Sequence, residues 1–94
     1  MAVKILIPSQ MRTLTQGEAE VNLDAGTTVQ EVLKGLDTKY AGFGARLRDD
    51  QGTLRRFLNV YVNEEDIRFL QGEATPVKSG DTVSIVPAIA GGAA

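Results

Sequence analysis

The chain has 94 residues and a mass of 10.1 kDa, carries a net charge of −2, and contains neither cysteine nor histidine. Disulfides, zinc sites built from Cys and His, and catalysis by a Cys nucleophile or a His base are therefore excluded. The slightly acidic balance gives no reason to expect nucleic acid as a partner, because phosphate binding requires a surplus or a stripe of cationic residues. A single domain of this size has little room for a deep pocket, so we expect a binding or carrier module, not an enzyme, with no bound cofactor or metal.

The beginning of the sequence indicates neither a secretion signal nor a membrane span. The apolar run after Met1 is broken at Pro8, which is too early for a signal peptide. No stretch approaches the roughly 20 apolar residues that cross a bilayer. We expect a cytoplasmic protein without a membrane partner.

The first two predicted elements are strands. A run that ends at Pro8 has apolar residues at every second position, which is typical of a strand buried on one side. These residues are Val3, Ile5 and Ile7. Residues 20–23 alternate again and fit a second strand paired with the first. The polar residues 9–20 predict a connecting loop.

The next element has the period of a helix. Thr28 and Glu31 have the spacing of a capping box, and the glycine-containing stretch 40–44 supplies stop signals. Apolar residues recur at the i, i+3, i+4, i+7 spacing of one helix face. They are Val29, Val32, Leu33 and Leu36. The sequence therefore predicts a helix over residues 28–40.

The second half of the chain is predicted to form further strands. Leu58, Val60 and Val62 alternate with residues of high strand propensity. A short strand is predicted at residues 67–69 and a last one at residues 82–86. The resulting order, β-β-α-β-(short β)-β, is that of an α+β domain of the β-grasp (ubiquitin-like) type. We expect a mixed four- to five-stranded sheet packed on one main helix, with residues 1–86 as the domain and residues 87–94 as a flexible C-terminal tail.

The tail is the most informative part of the sequence. From Thr82 onward no side chain is charged, and the segment includes the consecutive glycines Gly91 and Gly92. Because glycine has no Cβ, two of them let the backbone pass through a channel where a side chain would collide. A carboxylate on Gly92 would be open to activation by adenylation, and the acyl group could then accept sulfur or an amine. The alternative interpretation is an ordinary frayed terminus of small residues.

Two segments carry a resemblance to a known family. Residues 77–92 (VKSGDTVSIVPAIAGG) combine a Gly-Asp turn, an apolar strand, a proline and Gly-Gly, and residues 57–69 (FLNVYVNEEDIRF) supply a matching strand and turn. In both, the sequence resembles the ThiS/MoaD family of sulfur carriers, and within it the CysO-type carriers of cysteine and homocysteine biosynthesis. The resemblance covers nearly the whole chain.

The resemblance implies a protein cosubstrate with a defined set of partners. An E1-like enzyme of the MoeB/ThiF type would use ATP to adenylate Gly92, next to Gly91, and sulfur transfer would give a thiocarboxylate. A PLP-dependent sulfhydrylase or another acceptor enzyme would then take the sulfur. Four residues would thread the tail into these enzymes: Pro87, Ala88, Ile89 and Ala90.

The sequence departs from the family at its last two residues, Ala93 and Ala94. They lock Gly92 in a peptide bond, so we expect a precursor that a JAMM-type metallopeptidase trims between Gly92 and Ala93. Within the family, the alternatives are the small subunit of molybdopterin synthase and the thiazole-pathway carrier. Outside sulfur transfer, the alternatives are a ubiquitin-like modifier joined to lysines and a plain β-grasp interaction domain.

Two surfaces are candidates for docking. If Leu58 and Val60 face the helix, alternation turns Phe57 and Tyr61 to the opposite face of the sheet, and Phe69 adds a third exposed aromatic candidate. Positive charge is concentrated in residues 46–56. This segment contains Arg46, Arg48, Arg55 and Arg56. These arginines either steer an acidic partner to the domain or belong to a solvated loop whose charge is balanced by aspartates.

Overall fold

Five strands form one mixed sheet in the computed structural model, which describes residues 2–24, 28–55 and 58–87. The strands are β1 (Val3–Leu6), β2 (Glu20–Leu23), β3 (Leu58–Val62), β4 (Glu65–Asp66) and β5 (Thr82–Pro87). Their order is β2-β1-β5-β3-β4. Among the described strands, β1 and β5 are parallel neighbours and the other neighbours are antiparallel. The predicted hairpin and the return of the last strand beside the first are confirmed, and the arrangement is that of the β-grasp fold.

The main helix, α1 (Val29–Lys39), begins and ends within a residue of the prediction. The Thr28 hydroxyl accepts a hydrogen bond from the Glu31 amide at 3.3 Å, which caps an otherwise unpaired N–H of the first turn. The predicted apolar face is buried: Val29, Val32, Leu33 and Leu36. It packs with the inward side chains of the strands, among them Ile5, Val60 and Val83, in one core cluster.

A second helix, α2 (Phe43–Leu47), was not predicted. It follows Gly42, whose φ of 109° favours glycine, and the Asp37 carboxylate accepts a hydrogen bond from the Gly44 amide at 2.7 Å. Phe43 and Leu47 are buried in the core. Burial of these two side chains stabilises a helix too short for its period to be read from the sequence.

The predicted loop over residues 9–20 is wrong in its first half, because Ser9–Thr15 form a 3-10 helix. Met11 is buried in the core, and the fully buried Thr15 hydroxyl donates to the Glu18 carbonyl at 2.8 Å. The predicted short strand is also displaced. Glu65–Asp66 form the strand, whereas Ile67–Phe69 form a 3-10 turn because the Asp66 carboxylate accepts from the Arg68 amide at 2.8 Å.

Candidate functional site

The strand β5 leads into the predicted tail. Val83 and Ile85 are buried, Val86 is 43% exposed, and Pro87, the last residue of the strand, pairs with Leu58 of β3. The structure thus places Pro87 in the strand, one residue beyond the predicted domain boundary at 86. The other tail candidates lie outside the described residues, and their roles remain predictions: Ala88, Ile89, Ala90, Gly91, Gly92, Ala93 and Ala94.

The beginning of β5 is held by a hydrogen-bond network centred on Asn63. The Asn63 side chain donates to the Asp81 carboxylate at 2.9 Å and accepts from the Thr82 amide at 3.0 Å. The Lys78 amide donates to the other oxygen of Asp81 at 2.9 Å. The hydrogen bond from the Asn63 side chain, followed by the one from the Lys78 backbone amide, lowers the pKa of Asp81 below its ordinary range. The network fixes the position from which β5 starts.

The end of β5 is held less completely. β1 pairs with Thr82, Val83 and Ser84 and then ends, whereas β3 pairs with β5 as far as Pro87. Among the described strands, the last three residues of β5 therefore have a neighbour on one side only.

Two of the three predicted aromatic docking residues lie in the described structure, on different elements. Tyr61 is half-buried on β3, on the face opposite the core, as alternation predicts. Phe69 is 86% exposed, but it lies at the end of the 3-10 turn that follows β4, not on the sheet face. Phe57 lies outside the described residues. Whether any of them docks a partner remains a prediction.

A polar cluster covers β3 next to Tyr61. The Arg68 guanidinium lies 2.8 Å from the Asp66 carboxylate and donates to the Asn59 side chain at 2.5 Å. The Arg68 side chain, followed by the Arg68 amide, lowers the pKa of Asp66, and Asp66 in turn raises the pKa of Arg68. The Arg68 side chain is 60% exposed, so the electrostatic contribution of this pair is screened by solvent.

Among the described residues of the segment 46–56, Arg48 and Arg55 are not paired with Asp49 or Asp50. Arg48 makes a two-pronged ion pair with Glu73, which raises the pKa of Arg48, whereas the Asp49 carboxylate accepts from the amides of Gln51 and Thr53. Arg55 donates to the Ala45 carbonyl at 3.0 Å. Arg56 lies outside the described residues.

A groove that no sequence pattern indicated lies beside β3. We call it the β3 groove; it has a volume of about 480 Å³ and is lined by Leu54, Arg55, Leu58, Val60, Ile67 and Arg68. Three separate segments form it, so no local motif marks it. In residues 2–24, 28–55 and 58–87, no group of three or more acidic side chains is placed to hold a metal ion. The same residues contain no helix long and apolar enough to cross a membrane.

The fold and the strand that leads into a diglycine segment define a ubiquitin-like β-grasp protein. The chain belongs to the ThiS family, which matches residues 5–92. It is 44% identical over 94 residues to the sulfur carrier protein CysO of Mycobacterium tuberculosis, a match that covers 98% of this chain and all of the relative. It is 39% identical over 70 residues to small archaeal modifier protein 3 of Haloferax volcanii, which covers 74% of this chain and 75% of the relative.

The fold comparison gives the same family. A CysO chain from Amycolatopsis orientalis, solved in a complex with BexX, superposes with a TM-score of 0.84 at 45% identity. The match covers 92% of this chain and 94% of that chain. The predicted family and the predicted β-grasp class are therefore confirmed.

Proposed function

We propose that this chain is a sulfur carrier whose reactive group is the carboxyl of Gly92, freed by removal of Ala93 and Ala94. The observation that carries the proposal is that the match to the ThiS family extends through Gly92 and leaves Ala93 and Ala94 outside it. The lack of charged side chains from Thr82 onward also supports it, because a charge would resist entry into a narrow apolar active site.

The chemistry begins with two steps on the tail. Hydrolysis of the Gly92–Ala93 peptide bond, by a JAMM-type metallopeptidase, consumes one water and releases Ala-Ala. The freed carboxylate then attacks the α-phosphorus of ATP in an E1-like enzyme of the MoeB/ThiF type. The bond to pyrophosphate breaks, and an acyl adenylate forms on Gly92.

Sulfur enters and leaves by nucleophilic substitution. A hydrosulfide-level donor attacks the acyl carbon of Gly92 and displaces AMP, which leaves a thiocarboxylate without net oxidation or reduction. The thiocarboxylate sulfur then replaces the activating group, an acetate or phosphate, of a serine or homoserine derivative in a PLP-dependent sulfhydrylase. Hydrolysis of the acyl bond to Gly92 consumes one water, releases the sulfur-containing amino acid and restores the Gly92 carboxylate. The 44% identity to a CysO sulfur carrier supports cysteine or homocysteine biosynthesis as the destination. Delivery to molybdopterin synthase or to thiazole synthesis would use the same thiocarboxylate with another acceptor.

In this scheme the chain is a substrate and not a catalyst. The ATP and the metal and PLP cofactors belong to the partner enzymes, and this chain supplies the acyl group and the surface on which those enzymes dock. The complex of the Amycolatopsis relative with BexX supports a mode of action based on protein partners.

The proposal is tested by ATP–pyrophosphate exchange with the activating enzyme of the same organism. A chain ending at Gly92 is expected to support exchange, whereas the chain ending at Ala94 is expected to support none. A chain ending at Ala93 is the matched control, because it has a free carboxylate on the wrong residue. Equal exchange by all three chains, or none by the chain ending at Gly92, contradicts the proposal.

A second candidate function is favoured by the similarity to small archaeal modifier protein 3. The same adenylate of Gly92 would then be attacked by a lysine Nζ of a target protein, and AMP would leave as an isopeptide forms. Purification of the chain from its own cells under denaturing conditions, followed by peptide mass spectrometry, distinguishes the two functions. Lysines branched with the residues that precede and include Gly92 support the modifier, and free thiocarboxylate supports the carrier.

A further inference from the structure

We propose that the β3 groove docks a segment of the activating enzyme in which an apolar side chain is followed by a carboxylate. This inference rests on the proposed function and names the surface by which the activating enzyme recognises the chain. Three properties of the groove support it: its apolar floor, its charge and its distance from the tail.

The floor of the groove is apolar and shaped by the core. Leu58, Val60 and Ile67 are each at least nine-tenths buried, and Leu54 packs against the same core cluster. Because these side chains are held by the packing of the domain, the groove keeps its shape without a ligand. Its volume of about 480 Å³ accommodates a side chain as large as Leu or Phe.

The rim of the groove is positively charged. Arg68 already lies beside the Asp66 carboxylate. Arg55 is different, because its guanidinium contacts the Ala45 carbonyl and is paired with no carboxylate among the residues that the structure describes. A guanidinium next to an apolar floor favours a partner that supplies a carboxylate, since a charge-assisted pair is strongest where water is partly excluded.

The groove lies directly beside the root of the tail. Leu58 lines the groove and is also the strand partner of Pro87, so the two are separated by about one strand spacing, roughly 5 Å. An enzyme that takes residues 88–92 into its active site covers the surface around Pro87. Its contact surface therefore continues onto the β3 groove, which selects the activating enzyme as the occupant.

The test separates docking from chemistry by measuring KM and kcat of the activating enzyme for chains ending at Gly92. Arg55→Glu is expected to raise KM by about 10-fold or more with kcat within about two-fold, because it reverses a docking charge without touching the tail. Arg55→Gln is expected to raise KM by about 3- to 10-fold, since it removes the charge without adding repulsion.

Lys34→Glu is the matched control. Lys34 is exposed on α1 and does not line the groove, so the variant has the same net charge as Arg55→Glu. Its KM is expected to remain within about two-fold of wild type. Leu54→Ala probes the apolar floor and is expected to raise KM several-fold. Thermal unfolding of each variant shows that the comparison is made on folded chains.

The outcomes distinguish this inference from the proposed function. Exchange by the wild-type chain, with Arg55→Glu and Lys34→Glu giving the same KM, overturns the docking inference alone. A fall in kcat at unchanged KM overturns it as well. No exchange by the wild-type chain ending at Gly92 contradicts the proposed function and, with it, the choice of the activating enzyme as occupant.

Discussion

The two ends of β5 differ in how they are held, although they belong to one six-residue strand. At its beginning, Thr82 lies between β1 and β3 and is tied to Asn63 by hydrogen bonds to both its amide and its carbonyl. At its end, Pro87 is paired only with Leu58 of β3 among the described strands. The difference bears on the proposed function: one end of the last strand is built into the sheet, and the other leads into the segment that we propose to be reactive.

The largest expected effect comes from the buried side chains in the second half of β5. Ile85→Ala is expected to lower the free energy of unfolding by about 2–5 kcal/mol, because it leaves a cavity in the core. Val86→Ala, at the next position on the exposed face, is expected to change it by about 0.5 kcal/mol or less. Urea denaturation measures both. Similar losses for the two variants would show that the end of β5 is not packed as described.

A smaller loss of stability is expected at the beginning of β5, which is held by Asn63. Asn63 has a φ of 51° and a side chain that bonds both Asp81 and Thr82. Asn63→Ala loses these bonds and keeps an unfavourable backbone conformation, with an expected cost of about 1–3 kcal/mol.

Asn63→Gly separates the two contributions, because glycine adopts positive φ readily but makes no side-chain bonds. Urea denaturation of the two variants is expected to show Asn63→Gly more stable than Asn63→Ala. If both variants were as stable as wild type, the network would not anchor β5.

The smallest expected effect is the dependence of stability on pH. Asp81 and Asp66 have folded-state pKa values below the ordinary value of 3.8, so each stabilises the fold above that pH and loses its contribution as the pH falls through the folded-state pKa. Unfolding midpoints measured from pH 6 downward are expected to fall below about pH 4.

Asp81→Asn tests whether the Asp81 carboxylate causes the loss of stability at acid pH. Asp50→Asn, at an exposed position, is the control with the same change in charge. The acid-induced loss is expected to become smaller in Asp81→Asn and to persist in Asp50→Asn. An identical acid-induced loss in both variants would contradict a stabilising role for the ionised Asp81.

The parts of the fold with a long hydrophobic period were predictable from the sequence. α1 repeats its apolar spacing over two turns behind a Thr28 cap, and β3 alternates buried and half-buried residues along its whole length. By contrast, α2 and the 3-10 helix around Met11 are stabilised by burial of a few side chains against distant elements. Tertiary contacts of this kind leave no local period to read.

The candidate site also has one part that could be predicted from the sequence and one part that could not. The diglycine segment consists of consecutive residues, so the activation proposed for Gly92 could be inferred from the sequence. The β3 groove could not be, because Leu54, Val60 and Ile67 come from three segments that only the folded sheet brings together. The charge of Arg55 was visible, but the lack of a carboxylate partner among the described residues required the structure.

The measurement that tests the central claim most directly is the intact mass of the untagged protein, purified from its own cells grown under sulfur limitation. The account predicts a species that ends at Gly92 with one carboxyl oxygen replaced by sulfur, which would demonstrate trimming and activation together. A species that ends at Ala94 under every growth condition would contradict the carrier function, since Gly92 would then remain in a peptide bond.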